Sequence, residues 1–93
     1  MTGNKSNDRP ENRFFCVEAG CYRVSRSARL LMRFLFEKSI PCRLVLDGGS
    51  YRVRAGRFAC EEDARDYSVL FEALGVRGAK VVCEYGERRN EEE

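Results

Sequence analysis

Displaced by 36 positions, the chain falls on itself in residue type through both halves. Phe15 lands on Tyr51, Val17 on Val53, Ala19 on Ala55, Gly20 on Gly56, Tyr22 on Phe58 and Ala28 on Ala64. Further along, Phe34 lands on Leu70, Leu35 on Phe71, Ile40 on Val76, Val45 on Val81 and Leu46 on Val82. A fixed internal period of this kind means that one structural unit is built twice. Each copy opens with an alternating run, Phe-x-Val-x-Ala-Gly-x-Tyr and then Tyr-x-Val-x-Ala-Gly-x-Phe.

Alternation with a period of two is the pattern of a half-buried strand. In the first copy Phe15, Val17 and Ala19 share one face, and Phe14, Cys16 and Glu18 share the other. Gly20 permits the bend or close backbone approach that ends the strand. Ser25 or Ser27 is positioned to cap a helix over residues 27–39. That helix gathers Ala28, Leu31, Met32 and Leu35 on one side and Arg26, Arg29 and Arg33 on the other. Pro41 cannot continue it, and 42–46 reads as a second strand. Asp47-Gly48-Gly49 is a hairpin signal, because glycine tolerates the positive φ of tight turns.

The second copy repeats the plan. Tyr51, Val53 and Ala55 point inward and Ser50, Arg52 and Arg54 outward. Glu61, Glu62 and Asp63 open a second helix where its dipole favours negative charge. Ala64, Tyr67, Leu70, Phe71 and Leu74 form its apolar face, Gly75 stops it, and 80–85 supplies the last strand. The order β-α-β-β-α-β with right-handed crossovers predicts an α+β, ferredoxin-like or RNP-like fold. Its four-stranded antiparallel sheet carries both helices on one face, with the first and third strands central. The other face is expected to be open to water and to hold the functional side chains.

Residues 1–12 and 86–93 are polar and are expected to be disordered, which leaves 13–85 as the folded domain. Within 14–85, twelve basic residues stand against nine acidic ones, a mild surplus that does not mark a dedicated nucleic-acid binder. No apolar run reaches the length of a membrane span, and the N-terminus lacks the apolar core of a signal peptide. The chain is therefore expected to be cytoplasmic if Met1 is the true start. If it is a piece of an anchored or exported parent, it is expected in the cell envelope. Five cysteines exclude a closed disulfide framework. With no Cys-x-x-Cys pair and no histidine, neither a zinc site nor any other cofactor is expected. The thiols read mostly as buried or half-buried small apolar groups. Nothing in the sequence assembles a general acid–base pair or an activated nucleophile, so no enzymatic activity is expected.

The segments Phe15-Cys-Val-Glu-Ala-Gly-Cys-Tyr and Tyr51-Arg-Val-Arg-Ala-Gly-Arg-Phe resemble the bacterial SPOR (sporulation-related repeat) domain. The second is the sharper match, with Ala64 six residues beyond Phe58. The resemblance covers about residues 14–83. It implies a non-catalytic module that binds septal peptidoglycan, preferring glycan strands stripped of stem peptides, and so targets a protein to the septum or cell wall. It also implies that the glycan lies on the helix-free sheet face. The matching positions here are Glu18, where the family typically has glutamine, Cys21, where a small polar residue is common, and Ser50, where some members carry an aromatic. An ionised Glu18 accepts hydrogen bonds without donating any, so it recognises hydroxyls differently from an amide.

The candidate glycan-binding set is therefore Glu18, Cys21, Ser50, Arg52, Arg54 and Arg57. Arg52 and Arg54 offer planar donor forks to sugar hydroxyls or carboxylates. Both also lie within cross-strand reach of Glu18, which favours simple pairing. Two other uses of the face remain. It could bind nucleic acid as an RNA-recognition motif does, although arginines occupy the aromatic places of the third strand. It could also mediate protein interaction or self-association through Phe14, Cys16 and Val82. Tyr22 and Phe58 read as corner residues packing the strand-to-helix turns, and the arginine strip of the first helix reads as a solvated face. No membrane contact by the domain itself is expected.

Overall fold

The computed structural model describes residues 13–85; the segments expected to be disordered lie outside the described residues. The elements run β1 (Arg13–Tyr22), α1 (Ser25–Glu37), β2 (Arg43–Asp47), β3 (Ser50–Phe58), α2 (Glu61–Ala73) and β4 (Lys80–Tyr85). The strand order is β2-β3-β1-β4, with every neighbouring pair antiparallel. This is the ferredoxin-like α+β arrangement expected from the order of elements, with β1 and β3 central.

Between sheet and helices lies one apolar core. Val17, Ala19, Val53 and Ala55 rise from the central strands, Ala28 and Leu35 come from α1, and Phe71 comes from α2. Ile40 and Val76, one turn beyond each helix, close the two ends. Phe71, Leu35, Val17 and Val53 are the largest fully buried side chains among these apolar residues. Each contributes about 1.5–3 kcal/mol by leaving water. Leu70, assigned to the apolar face of α2, is instead exposed. It lies a quarter-turn from Phe71, beyond the width of helix that the sheet covers.

Two bulges interrupt the pairing of β1 with β3. The first gives β3 an extra residue between Ala55 and Phe58, and the second gives β1 an extra residue between Glu18 and Gly20. They fall at repeat-related glycines. Gly56 has φ +86°, and a Cβ there would stand 2.6 Å from the Phe58 ring. At Gly20 a Cβ would meet the Tyr22 ring at 2.7 Å and Leu31 at 2.8 Å. Each aromatic thus folds back over its glycine and packs towards a helix, as the corner reading expected. Phe58 meets Tyr67 edge-on at 5.2 Å, and Tyr67 meets Phe71 in the same way. A bulge slips the two-residue period by one. It carries Tyr22 and Phe58 to the core side and leaves Cys21 facing the same way as Arg52.

The turns follow the sequence closely. Gly48 and Gly49 both have positive φ between paired Asp47 and Ser50, the pattern of a type I′ hairpin. Both helices end in Schellman motifs. Val76 N–H donates to Phe71 O and Gly75 N–H to Glu72 O, while Ile40 N–H donates to Leu35 O and Ser39 N–H to Phe36 O. The starts differ from expectation. Val24 and Cys60 occupy the N-cap positions without side-chain cap hydrogen bonds, because α1 already includes Ser25 and Ser27 in its first turn. Glu61, Glu62 and Asp63 do occupy the first turn of α2.

Ser39 adopts φ +64° where the second copy places Gly75 at φ +88°. A side chain in the left-handed region costs on the order of 1 kcal/mol. Ser39→Gly should therefore stabilise the domain by about 0.5–1 kcal/mol in urea unfolding. Gly56→Ala should destabilise it by roughly 2 kcal/mol or more, because both the φ and the space are wrong. Equal midpoints for the two variants would contradict this account of the repeat.

Candidate functional site

The helix-free face presents Phe14, Cys16 and Glu18 from β1, Arg43 and Val45 from β2, Arg52 and Arg54 from β3, and Lys80, Val82 and Glu84 from β4. Its centre is not open to water as the alternation suggested. Phe14 and Cys16 are buried, and Glu18 is only 2% exposed. β1 is a central strand, and long guanidinium side chains from its neighbours fold across it from the β3 side.

Glu18 anchors this layer. Its carboxylate accepts a hydrogen bond from Arg52 Nη1 at 2.9 Å and from Arg54 Nε at 3.0 Å, and Lys80 Nζ stands 4.0 Å away. Arg54 also donates to Glu84 through Nη1. Arg43 donates to Glu84 Oε1 at 3.0 Å and to the Gly56 carbonyl at 3.1 Å, tying the outer strand to the bulge. Arg52 Nε lacks a hydrogen-bond partner; Asp47 Oδ2 lies 3.6 Å away, near enough for attraction only. Arg57 places its guanidinium over the Phe14 ring at 3.8 Å, and Arg43 flanks the same ring at 5.7 Å.

These contacts set the titration behaviour. Burial alone would raise the Glu84 carboxyl, but hydrogen bonds from Arg54 and Arg43 outweigh it and hold the group below the ordinary carboxylate value. Burial likewise disfavours the charged form of Arg54, and its bonds to Glu84 and Glu18 overcome that and raise it. The Cys16 thiol is pushed up to about 11 by burial first and by Glu84 second, which makes it a poor nucleophile.

The six sequence-selected residues divide by exposure. Glu18 and Arg54 (13% exposed) are interior members of the ion-pair layer, Arg52 is half-buried above it, and Arg57 is exposed. Cys21, exposed, lies opposite Arg52 on this same face because of the β1 bulge. Ser50 sits beside the hairpin, paired with Asp47. Sequence reasoning missed Arg43, Lys80 and Glu84. The signal for them was the register of the outer strands, which alternation within one strand does not reveal. Cys21, Cys60 and Cys83 are all exposed, which corrects the expectation of mostly buried thiols. They sit at a sheet rim, a helix start and an edge strand, where the core does not reach.

Five cations (Arg43, Arg52, Arg54, Arg57, Lys80) stand on this face against three anions (Asp47, Glu18, Glu84), a surplus of two positive charges. Among the described residues no cluster of three or more His, Cys, Asp or Glu side chains could hold a metal ion.

No family model matches the sequence, and no curated protein matches it. A solved structure does. The chain is similar to the peptidoglycan binding domain of the B. subtilis cell wall lytic enzyme CwlC, with a TM-score of 0.68 and 24% identity. The match covers 77% of this chain and 90% of that one. The two share a fold. That is also the fold implied by the SPOR resemblance of the two Ala-Gly segments.

Glu18→Ala leaves two largely desolvated guanidiniums without their shared acceptor. It should cost about 3 kcal/mol, the low end for breaking a buried pair, since Arg52 keeps some solvent. The pH dependence follows from Glu84. A folded value below the unfolded one stabilises the protein at pH above the ordinary 4.5, and this contribution is lost as pH falls through the folded value. Glu84→Gln should therefore lower stability at neutral pH and flatten its decline below about 4.5. An acid limb identical to that of the parent chain would exclude Glu84 as a contributor.

Proposed function

We propose that this chain is a non-catalytic peptidoglycan-binding module that holds its parent protein at the cell wall, using the helix-free sheet face. The observation that carries this reading is the fold shared along 90% of a domain whose described role is peptidoglycan binding. The chemistry of the face supports it. A glycan strand freed of its stem peptides exposes a lactyl carboxylate on every second sugar, together with many hydroxyls. A sheet with two surplus positive charges and several guanidinium forks suits such a polyanionic polyol. Glu18 and Arg54 then act as the frame that holds the face, while Arg52, Arg57, Cys21 and Ser50 are the positions offered to ligand. The nucleic-acid alternative is weaker, because Phe14, the β1 aromatic available for base stacking, already lies beneath Arg57.

Four outcomes test this account. The purified chain should co-sediment with amidase-treated sacculi more than with untreated ones, and equal or absent sedimentation would refute the preference for denuded strands. Arg57→Glu should weaken that binding by roughly tenfold with little loss of stability, since it reverses an exposed charge. Arg54→Glu should instead unfold the domain, because it sets a third carboxylate between Glu18 and Glu84. Nucleic-acid binding would be recognised directly, by a labelled single-stranded oligonucleotide binding at least as tightly as denuded glycan.

A further inference from the structure

The two helices carry opposite charge on their exposed sides. α1 holds Arg26, Arg29 and Arg33 against Glu37, with Arg23 and Lys38 just outside its ends, all of them exposed. α2 holds Glu61, Glu62, Asp63, Asp66 and Glu72 against Arg65, again all exposed. Arg65 is already paired with Glu61 at 2.7 Å, so the outer side of α2 is effectively all carboxylate.

Each helix also exposes large apolar groups. On α1 these are Leu30 (57% exposed) and Phe36 (53%), and on α2 they are Val69 (61%) and Leu70 (42%). The grooves beside the helices repeat the same opposition. The one on α1 is lined by Met32 and Phe36 with Arg29, Arg33 and the single carboxylate Glu37, and the one beside α2 by Phe58, Tyr67 and Leu70 with Asp63 and Asp66. Apolar surface with a basic surplus at its rim is thus matched, on the same molecule, by apolar surface with an acidic rim.

We propose that two copies of this chain associate through their helical layers, α1 of each lying against α2 of the other. β1 and β3 are antiparallel, and each helix returns along the strand before it, so α1 and α2 run antiparallel within a copy. A two-fold axis parallel to the helices then sets the basic helix of one copy over the acidic helix of the other, twice, by symmetry. Guanidiniums of α1 meet the carboxylates of α2, and Leu30, near the middle of α1, is set against Val69.

Two thirteen-residue helices offer a face about 20 Å long and ~20 Å wide. This buries on the order of 1,000 Å² in total, the size of a weak, reversible interface. Both sheet faces remain on the outside of the pair, so the proposal does not depend on what they bind.

The test is sedimentation velocity on the full chain at low salt and at about 1 M salt, where charges separated by more than ~3 Å are screened. A concentration-dependent dimer is expected at low salt, weakened at least about tenfold at high salt. R29E/R33E and D66K/E72K should each be monomeric with an unchanged circular dichroism spectrum. Mixed in equal amounts, they should form a heterodimer, because every helix then again faces its opposite charge. A chain that stays monomeric at low salt up to about 1 mM, about the weakest affinity of interest, would overturn the proposal. So would a dimer that persists in R29E/R33E, or a mixture of the two variants that remains monomeric.

Discussion

Everything in this fold depends on where the strand period slips. In both repeats the side chain before the glycine, Ala19 or Ala55, and the aromatic after it, Tyr22 or Phe58, face the helices; only a bulge allows both. The glycines make this possible because a Cβ at either position would collide with the ring that folds back over it. Without the slip Tyr22 and Phe58 would turn away from the core, the turns into α1 and α2 would lose their packing, and Cys21 would leave the helix-free face. The duplication is thus a duplicated bulge as much as a duplicated strand.

The helix-free face is a second structural layer as well as a surface. A carboxylate as enclosed as Glu18 is tolerable only where its lone pairs are occupied, and Arg52 and Arg54 occupy them. Glu84 and Arg43 extend the same lattice to both outer strands, so charge joins all four strands on the side that lacks helices. The arrangement separates the guanidiniums into two kinds. Arg54 is held between two carboxylates and stabilises the fold, whereas Arg57 is stacked on Phe14 and stays exposed. On the proposed reading, such a pre-ordered frame binds its ligand with little loss of side-chain freedom.

The opposite faces of the domain follow different rules. On the sheet side most charges are paired within the molecule, leaving a small positive surplus. On the helix side they are segregated, basic along α1 and acidic along α2, which is the opposition on which the proposed pairing of two copies rests.

The 36-residue match and the alternation within each copy determined the order of elements, the central strands, the core residues Val17, Val53, Leu35 and Phe71, and the hairpin at Gly48-Gly49. These features are local or follow from local period, and a chain with two apolar strand–helix units has few ways to bury them together. Tertiary structure alone decided the fate of the charged side chains. Whether Arg54 is a ligand or a strut depends on Glu84, thirty residues away and two strands over, and no pattern within β3 encodes that distance. The pairing of Arg52 with Glu18 was legible as a cross-strand possibility, but the burial of Phe14 and Cys16 was not, since it arises from long side chains of a neighbouring strand closing over β1. Apolar burial is written along the chain because it repeats with the backbone's own period. Charge pairing is set across it, by register and by a one-residue slip at two glycines.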